Sequence, residues 1–259
     1  MEAGSCRFGV VDLPSPCSDV PAGEACIEWT SGPRYLENSS HKNNLYYRNR
    51  HRGWQDCLYR QHCPRPPQTG VNALAVKPFA SGGIEDANEL HRALGGALSI
   101  GEITPFVFRE PLTPMLAARL EGRKVPVQSV VEHLLAISRR CEHLLVEGAG
   151  GVLSPLGEGY GLLEIAKEVG GKMVVVGKNR LGVINHALLT IQRIESAKVG
   201  CSGVVLMDEV ACGTVRDGNV EVLEELSGLP VVRVPHLVDP HAYAETSKNF
   251  HKVLVLIFG

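Results

Sequence analysis

From residue 143 onward the chain repeats one pattern: a short aliphatic run, a turn, then a stretch with apolar residues at helical spacing. The aliphatic runs fall at 143–146, 172–176, 203–207 and 230–234, with helical stretches at 163–168, 184–194 and 220–226 between them. An earlier part of the pattern opens with the run at 71–76 and continues through helical spacing at 86–94, 113–120 and 127–137. Runs of Val, Ile and Leu without polar alternation are buried on both faces, and a strand buried in that way needs helices packed against it. Their alternation predicts an α/β fold, a mostly parallel sheet with helices on both faces. Such sheets bind ligands at the carboxyl ends of their strands, so chemistry is sought just after each aliphatic run. With 259 residues, 44% of them hydrophobic, the chain has material for one such domain.

That domain is placed at 70–238, with a C-terminal tail over 239–259 that is compatible with a helix. Residues 1–69 hold no sustained period of 2 or 3.6 and are read as irregular, with disorder expected. Within 41–67 stand Arg48, Arg50, Arg52, Arg60 and Arg65, with Tyr46, Tyr47 and Trp54 and almost no aliphatic residues. A basic, aromatic-studded segment suits a nucleic-acid-binding arm. The formal net charge of −2 points the other way, toward small-molecule chemistry and no nucleic-acid partner. Five of the eight cysteines (Cys6, Cys17, Cys26, Cys57 and Cys63) crowd into the first 63 residues at spacings that match no zinc site. Cys141, Cys201 and Cys212 sit in or beside apolar segments, as small packing residues do. No apolar run is long enough to span a bilayer and no secretory signal opens the chain, so a soluble, cytoplasmic protein without membrane partners is expected.

Three segments carry groups suited to phosphate chemistry. In Lys77-Pro78-Phe79-Ala80-Ser81-Gly82-Gly83, directly after the first aliphatic run, a lysine and a serine stand at a ligand-binding edge, and the glycines allow close backbone approach. Asp86 follows near a helix start, where a carboxylate serves either the helix dipole or a magnesium ion. In Val146-Glu147-Gly148-Ala149-Gly150-Gly151 an acid ends an apolar strand, the position from which nucleotide hydrolases commonly hold a metal, and small residues after it leave room for a ligand. In Gly182-Val183-Ile184-Asn185-His186-Ala187 a turn opens a helix whose free N–H groups could receive a carboxylate or phosphate; His186 is read as a packed or hydrogen-bonded residue.

The segments KPFASGG, EDA, PLTPMLAARLEG, LLVEGAGGVLSPL and LGVINHALLTIQRI, in this order and spacing, resemble the dethiobiotin synthetase family over about residues 70–235. The resemblance implies a P-loop NTPase-like fold and a homodimeric enzyme that uses 7,8-diaminononanoate, carbon dioxide and ATP with Mg2+ to close the ureido ring of dethiobiotin. It implies that Lys77 is catalytic, contacting the carbamate and the γ-phosphate, with Ser81 assisting there. Asp86 and Glu147 would hold magnesium and, with Gly148, Ala149 and Gly150, line the ATP site. Gly182, Val183, Ile184 and Asn185 would receive the substrate carboxylate across the dimer interface. Where the family often has an adenine-reading asparagine, this chain has Leu206-Met207-Asp208.

The family opens with a strand and a phosphate-binding loop of the form GTDT-x-VGKT, and residues 1–70 contain no such loop, so the first strand and P-loop are missing or non-native. Back-translation of Tyr46 to Asp56 and reading one nucleotide later permits I-T-G-T-D-T-G-V-G-K-T, and onward to Pro66 it permits V-Y-T-A-S-I-V-R-A-L. A frameshift resolved near residues 68–70 would make residues 1–69 largely out-of-frame translation, leaving the arginines and cysteines there without function. Two readings stand: a cyclo-ligase, inactive if the shift is real, and a degenerate non-enzymatic relative that keeps a dimer or weak nucleotide-binding surface.

Overall fold

The computed structural model describes residues 42–48, 72–208 and 217–234, the first of these as backbone alone. The strands are β1 (Lys42–Arg48), β2 (Ala73–Val76), β3 (Phe79–Ser81), β4 (Phe106–Phe108), β5 (His143–Glu147), β6 (Lys172–Lys178), β7 (Gly200–Met207) and β8 (Val231–Val234). The helices are α1 (Glu85–Ala93), α2 (Ile100–Ile103), α3 (Pro114–Leu120), α4 (Val127–Ser138), α5 (Leu162–Glu168), α6 (Val183–Ser196) and α7 (Asp217–Ser227). Six strands form one sheet in the order β2-β5-β1-β6-β7-β8, each neighbouring pair parallel, and β3 pairs with β4 in a second, two-stranded parallel sheet.

Consecutive residues of β2, β5 and β6 (Ala73 to Val76, Leu144 to Val146, Met173 to Val176) are all buried. Successive side chains point to opposite faces of a strand, so the sheet is covered on both. α1 and α2 pack on β2, α4 on β5, α6 on β6 and β7, and α7 on β8. Each fully buried Leu, Val or Phe contributes roughly 1.5–3 kcal/mol through removal of apolar surface from water. The α/β class and the five aliphatic runs thus appear as expected, and the helical stretches fall within a few residues of their expected bounds. At α3, Pro114 takes the first helical position, where its missing N–H costs nothing, while the preceding Thr113 makes no side-chain capping bond.

Two features differ from the sequence reading. The irregular segment assigned to 1–69 contains β1, which sits inside the sheet between β5 and β6. Its sequence, KNNLYYR, has no apolar run, but backbone pairing on both edges asks only for an extended chain without proline. The rest of 1–69 and the tail at 239–259 lie outside the described residues. Secondly, the stretch after Lys77, to which no element was assigned, forms β3, and the segment before Pro111 forms α2 and β4, elements of three or four residues that show no period.

Candidate active site

Strands β2 and β5 are neighbours, with Val76 in register with Val146, so the residues that follow, Lys77 and Glu147, stand side by side at the carboxyl edge. The Lys77 ammonium donates to Glu147 Oε1 at 3.0 Å and to Asp86 Oδ2. Asp86 reaches it because the chain reverses after β3. Gly82 takes φ 81°, a conformation L-residues avoid, and α1 begins two residues past Gly83 with Glu85 and Asp86 in its first turn. A carboxylate there also complements the partial positive charge of the helix start. The Lys77 and Glu147 side chains are only 12% and 4% exposed whereas Asp86 is 29% exposed, so the cluster opens to solvent on the Asp86 side.

Burial, the largest single influence on Lys77, works to lower its pKa; the charges of Glu147 and Asp86 and their hydrogen bonds outweigh it, and the ammonium titrates above its ordinary value. The Lys77 ammonium thus lies between two carboxylates, groups that also suit a hard divalent cation. Two hard carboxylate oxygens, with water and phosphate oxygens completing the shell, are what magnesium usually takes. Among the described residues no group of three or more His, Cys, Asp or Glu is gathered to hold a metal ion.

Ser81 ends β3, and its hydroxyl is buried without a hydrogen-bond partner. An unsatisfied hydroxyl beside a charged cluster has bonding capacity to offer a ligand. The glycines after β5 serve packing more than the sequence reading allowed. A Cβ on Gly148 would stand 2.7 Å from Leu162 Cδ2, and one on Gly150 would stand 2.5 Å from Ser154 Oγ, so neighbouring side chains occupy that space. Gly150 also has φ 84°, and the Gly151 N–H donates to Ser154 Oγ at 2.6 Å, which closes the turn over Gly151 to Ser154.

Gly182 caps α6 in the left-handed conformation at φ 92°, Val183 is buried in the core, Ile184 is half-buried, and Asn185 and His186 are exposed. This helix start follows β6, which is separated from β5 by β1, a spacing of about 10 Å across the sheet. Lys77, Asp86 and Glu147 are therefore in direct contact, and Gly182 to Asn185 form a separate group on the same carboxyl edge.

A polar network that the sequence reading did not single out closes the far end of this edge. Asn179, fully buried, donates from Nδ2 to Asp208 Oδ1 at 2.8 Å and accepts at Oδ1 from Asn219 Nδ2 at 2.8 Å. Arg233 donates from Nε to Asp208 Oδ2 at 2.8 Å. Asn179 and Asp208 directly follow the aliphatic strands β6 and β7, a placement that polar residues at run ends could have signalled, and Arg233 lies within β8.

The parallel sheet with helices on both faces defines an α/β protein, with a lysine and an acid in contact at adjacent strand ends. Residues 67–240 match the family described as AAA domain. The ATP-dependent dethiobiotin synthetase BioD of Bacillus licheniformis is 36% identical over 176 residues, 65% of this chain and 75% of the relative. The enzyme of the same name from an Anaeromyxobacter species is 35% identical over 178 residues, 66% and 79% of the two chains, and that of Bacillus subtilis is 36% identical over 165 residues, 61% and 71%. The chain belongs to the dethiobiotin synthetase family.

Proposed function

We propose that the chain is built to close the ureido ring of dethiobiotin, using ATP and Mg2+ to join 7,8-diaminononanoate and carbon dioxide, as the name of its relatives suggests. The observation that carries the reading is the convergence of Lys77, Asp86 and Glu147 at one strand edge. In this reaction an amine of the substrate captures carbon dioxide as a carbamate, whose oxygen attacks the γ-phosphorus of ATP and displaces ADP. The second amine then attacks the resulting mixed anhydride and expels phosphate. The Lys77 ammonium, already charged and held in place, stabilises negative charge on the carbamate and the transferring phosphoryl group. Asp86 and Glu147 hold the magnesium, which supplies charge neutralisation at the phosphates. The Ser81 hydroxyl donates to the same oxygens, and Gly148, Ala149 and Gly150 line the nucleotide side. The N–H groups opening α6, at Gly182, Val183, Ile184 and Asn185, receive the substrate carboxylate, with the helix completed by a second subunit in a homodimer. No described helix is long and apolar enough to cross a membrane.

The second reading, a non-enzymatic relative, is favoured by one observation: residues 1–70 contain no glycine-rich phosphate loop. The register of β1 bears on that point. Tyr46 pairs with Glu147, and the permitted out-of-frame peptide starts at Tyr46, so the loop it encodes would leave the sheet beside the acid. The discriminating experiment resequences the DNA over these codons and measures phosphate release with diaminononanoate, bicarbonate and MgATP, for the chain as written and for one with the frame restored. The restored chain should need all three substrates and form dethiobiotin. The chain as written should be at least about 100-fold slower, the scale of losing a preorganised charge-stabilising group. If the restored chain shows no diaminononanoate-dependent release, the enzymatic reading fails.

A further inference from the structure

The backbone that carries Lys77 has an unusual gap in its hydrogen bonding. Residues 77–81 run parallel to 103–108, with Lys77 N–H donating to the Ile103 carbonyl at 3.0 Å, Phe106 N–H to the Pro78 carbonyl at 3.0 Å, and Gly82 N–H to the Phe108 carbonyl at 3.0 Å. In a parallel pair the donor next in line for the Lys77 carbonyl is the amide of residue 105, and that residue is proline. The Thr104 hydroxyl donates to the Lys77 carbonyl instead, at 2.7 Å, from a side chain inside a residue only 2% exposed.

We propose that Thr104 is a positioning residue for Lys77: its hydroxyl replaces the missing Pro105 amide and holds Lys77 where its ammonium meets Asp86 and Glu147. The proposal rests on the reading of Lys77 as the catalytic cation. A four-residue helix such as α2 has little stability of its own, yet the segment that ends in Thr104 is pinned from two longer helices. His91 of α1 donates from Nδ1 to the Leu98 carbonyl at 2.8 Å. From α4, His133 donates from Nε2 to the Glu102 carbonyl at 2.7 Å. Arg140, just past α4, binds Glu102 Oε1 at 2.5 Å and the Ala97 carbonyl at 3.1 Å. Ser99 and Glu102 cap each other at the start of α2, and the Thr104 N–H returns to the Ile100 carbonyl at 2.8 Å. So many bonds on so short a segment fix one thing beyond the segment itself, the point at which it touches the Lys77 backbone.

The test reads Lys77 without relying on turnover. The full chain is treated with an amine-acetylating reagent, and labelling of Lys77 is quantified by peptide mass spectrometry against the exposed Lys172 as internal control. Thr104→Val should label at Lys77 about 5-fold faster, the equivalent of one lost hydrogen bond, with Lys172 unchanged. Thr104→Ser should return the rate to within about twofold of the parent. The double variant Thr104→Val/Pro105→Ala restores a backbone donor and should also slow the labelling. Equal labelling of Thr104→Val and the parent overturns the proposal, as does failure of both the serine and the double variant to protect Lys77. Should Thr104→Val fail to fold, the double variant decides alone: a folded chain with protected Lys77 supports the proposal, and any other result overturns it. If Lys77→Ala leaves phosphate release intact, the functional reading falls while the Thr104 result stands.

Discussion

Replacing Lys77 by methionine keeps most of the side chain's length and removes its charge, leaving Asp86 and Glu147 facing one another. At the 3.0 Å separation of Nζ and Glu147 Oε1, the gross attraction is about 5 kcal/mol for an effective dielectric near 20. Desolvation offsets much of that in the intact cluster. Removing one partner is different, because a carboxylate that stays buried keeps its desolvation cost without the ammonium, and breaking a buried pair in this way costs about 3–5 kcal/mol. Asp86 is 29% exposed and partly screened, which places the expected loss near the lower end, about 3 kcal/mol. Urea unfolding followed by circular dichroism measures it, and the slope should be unchanged. Added Mg2+ should then stabilise Lys77→Met more than the parent, since an ion that binds only the folded state raises stability by mass action and its carboxylates no longer compete with an ammonium. In the parent the folded-state pKa of Lys77 is raised above 10.5, so the ion pairs contribute fully below that pH and are lost only as pH climbs above it. A loss under about 1 kcal/mol, or an equal magnesium response in both proteins, would refute the idea of one shared charge cluster.

Glu102 gives a second pH handle: hydrogen bonds from the Ser99 amide and hydroxyl, then from Arg140, hold its carboxyl down to about 2 from 4.5. A depressed carboxylate stabilises the fold above its unfolded value, so this contribution should be present above 4.5 and fade as pH falls toward 2; a carboxyl-carbon NMR midpoint above about 4 would contradict the capping geometry. Gly82→Ala should cost about 2 kcal/mol in thermal or urea unfolding, because φ 81° suits only glycine and the added Cβ would lie 2.6 Å from Pro111 Cβ and 2.8 Å from its Cα. A change below about 0.5 kcal/mol would show that the turn before Asp86 is freer than described.

Much of the sheet was legible because β5, β6, β7 and β8 are aliphatic runs with no polar alternation, and a chain can bury such runs only in one way. Lys77 and Glu147 were legible for the same reason, as charged residues that end adjacent runs. Asp86 needed the turn at Gly82 and Gly83, whose glycines showed that the chain could reverse but not where it would go. Thr104 was invisible, since its partner lies 27 residues away and the proline that makes its hydroxyl necessary acts through an absent N–H group. The Asn179, Asp208 and Arg233 network was hidden likewise, because its meaning lies in which strands become neighbours.

β1 was illegible for a different reason, and it connects the two halves of the chain. A strand at the centre of a parallel sheet is ordinarily rich in Val, Ile and Leu, because both its faces are covered. Lys42, Asn43 and Asn44 pair with His143, Leu144 and Leu145, and only Leu45 of the strand is aliphatic. The open backbone edges of β5 and β6, which no other described segment fills, call for an extended chain in the slot between them. An unpaired slot next to Glu147 exerts that demand whatever the reading frame supplies. The frame-restored peptide, which begins Ile-Thr-Gly at Tyr46, would meet the same demand and then turn into a phosphate loop beside the Lys77 cluster. Restoring the frame should thus raise stability and turnover together, through one strand.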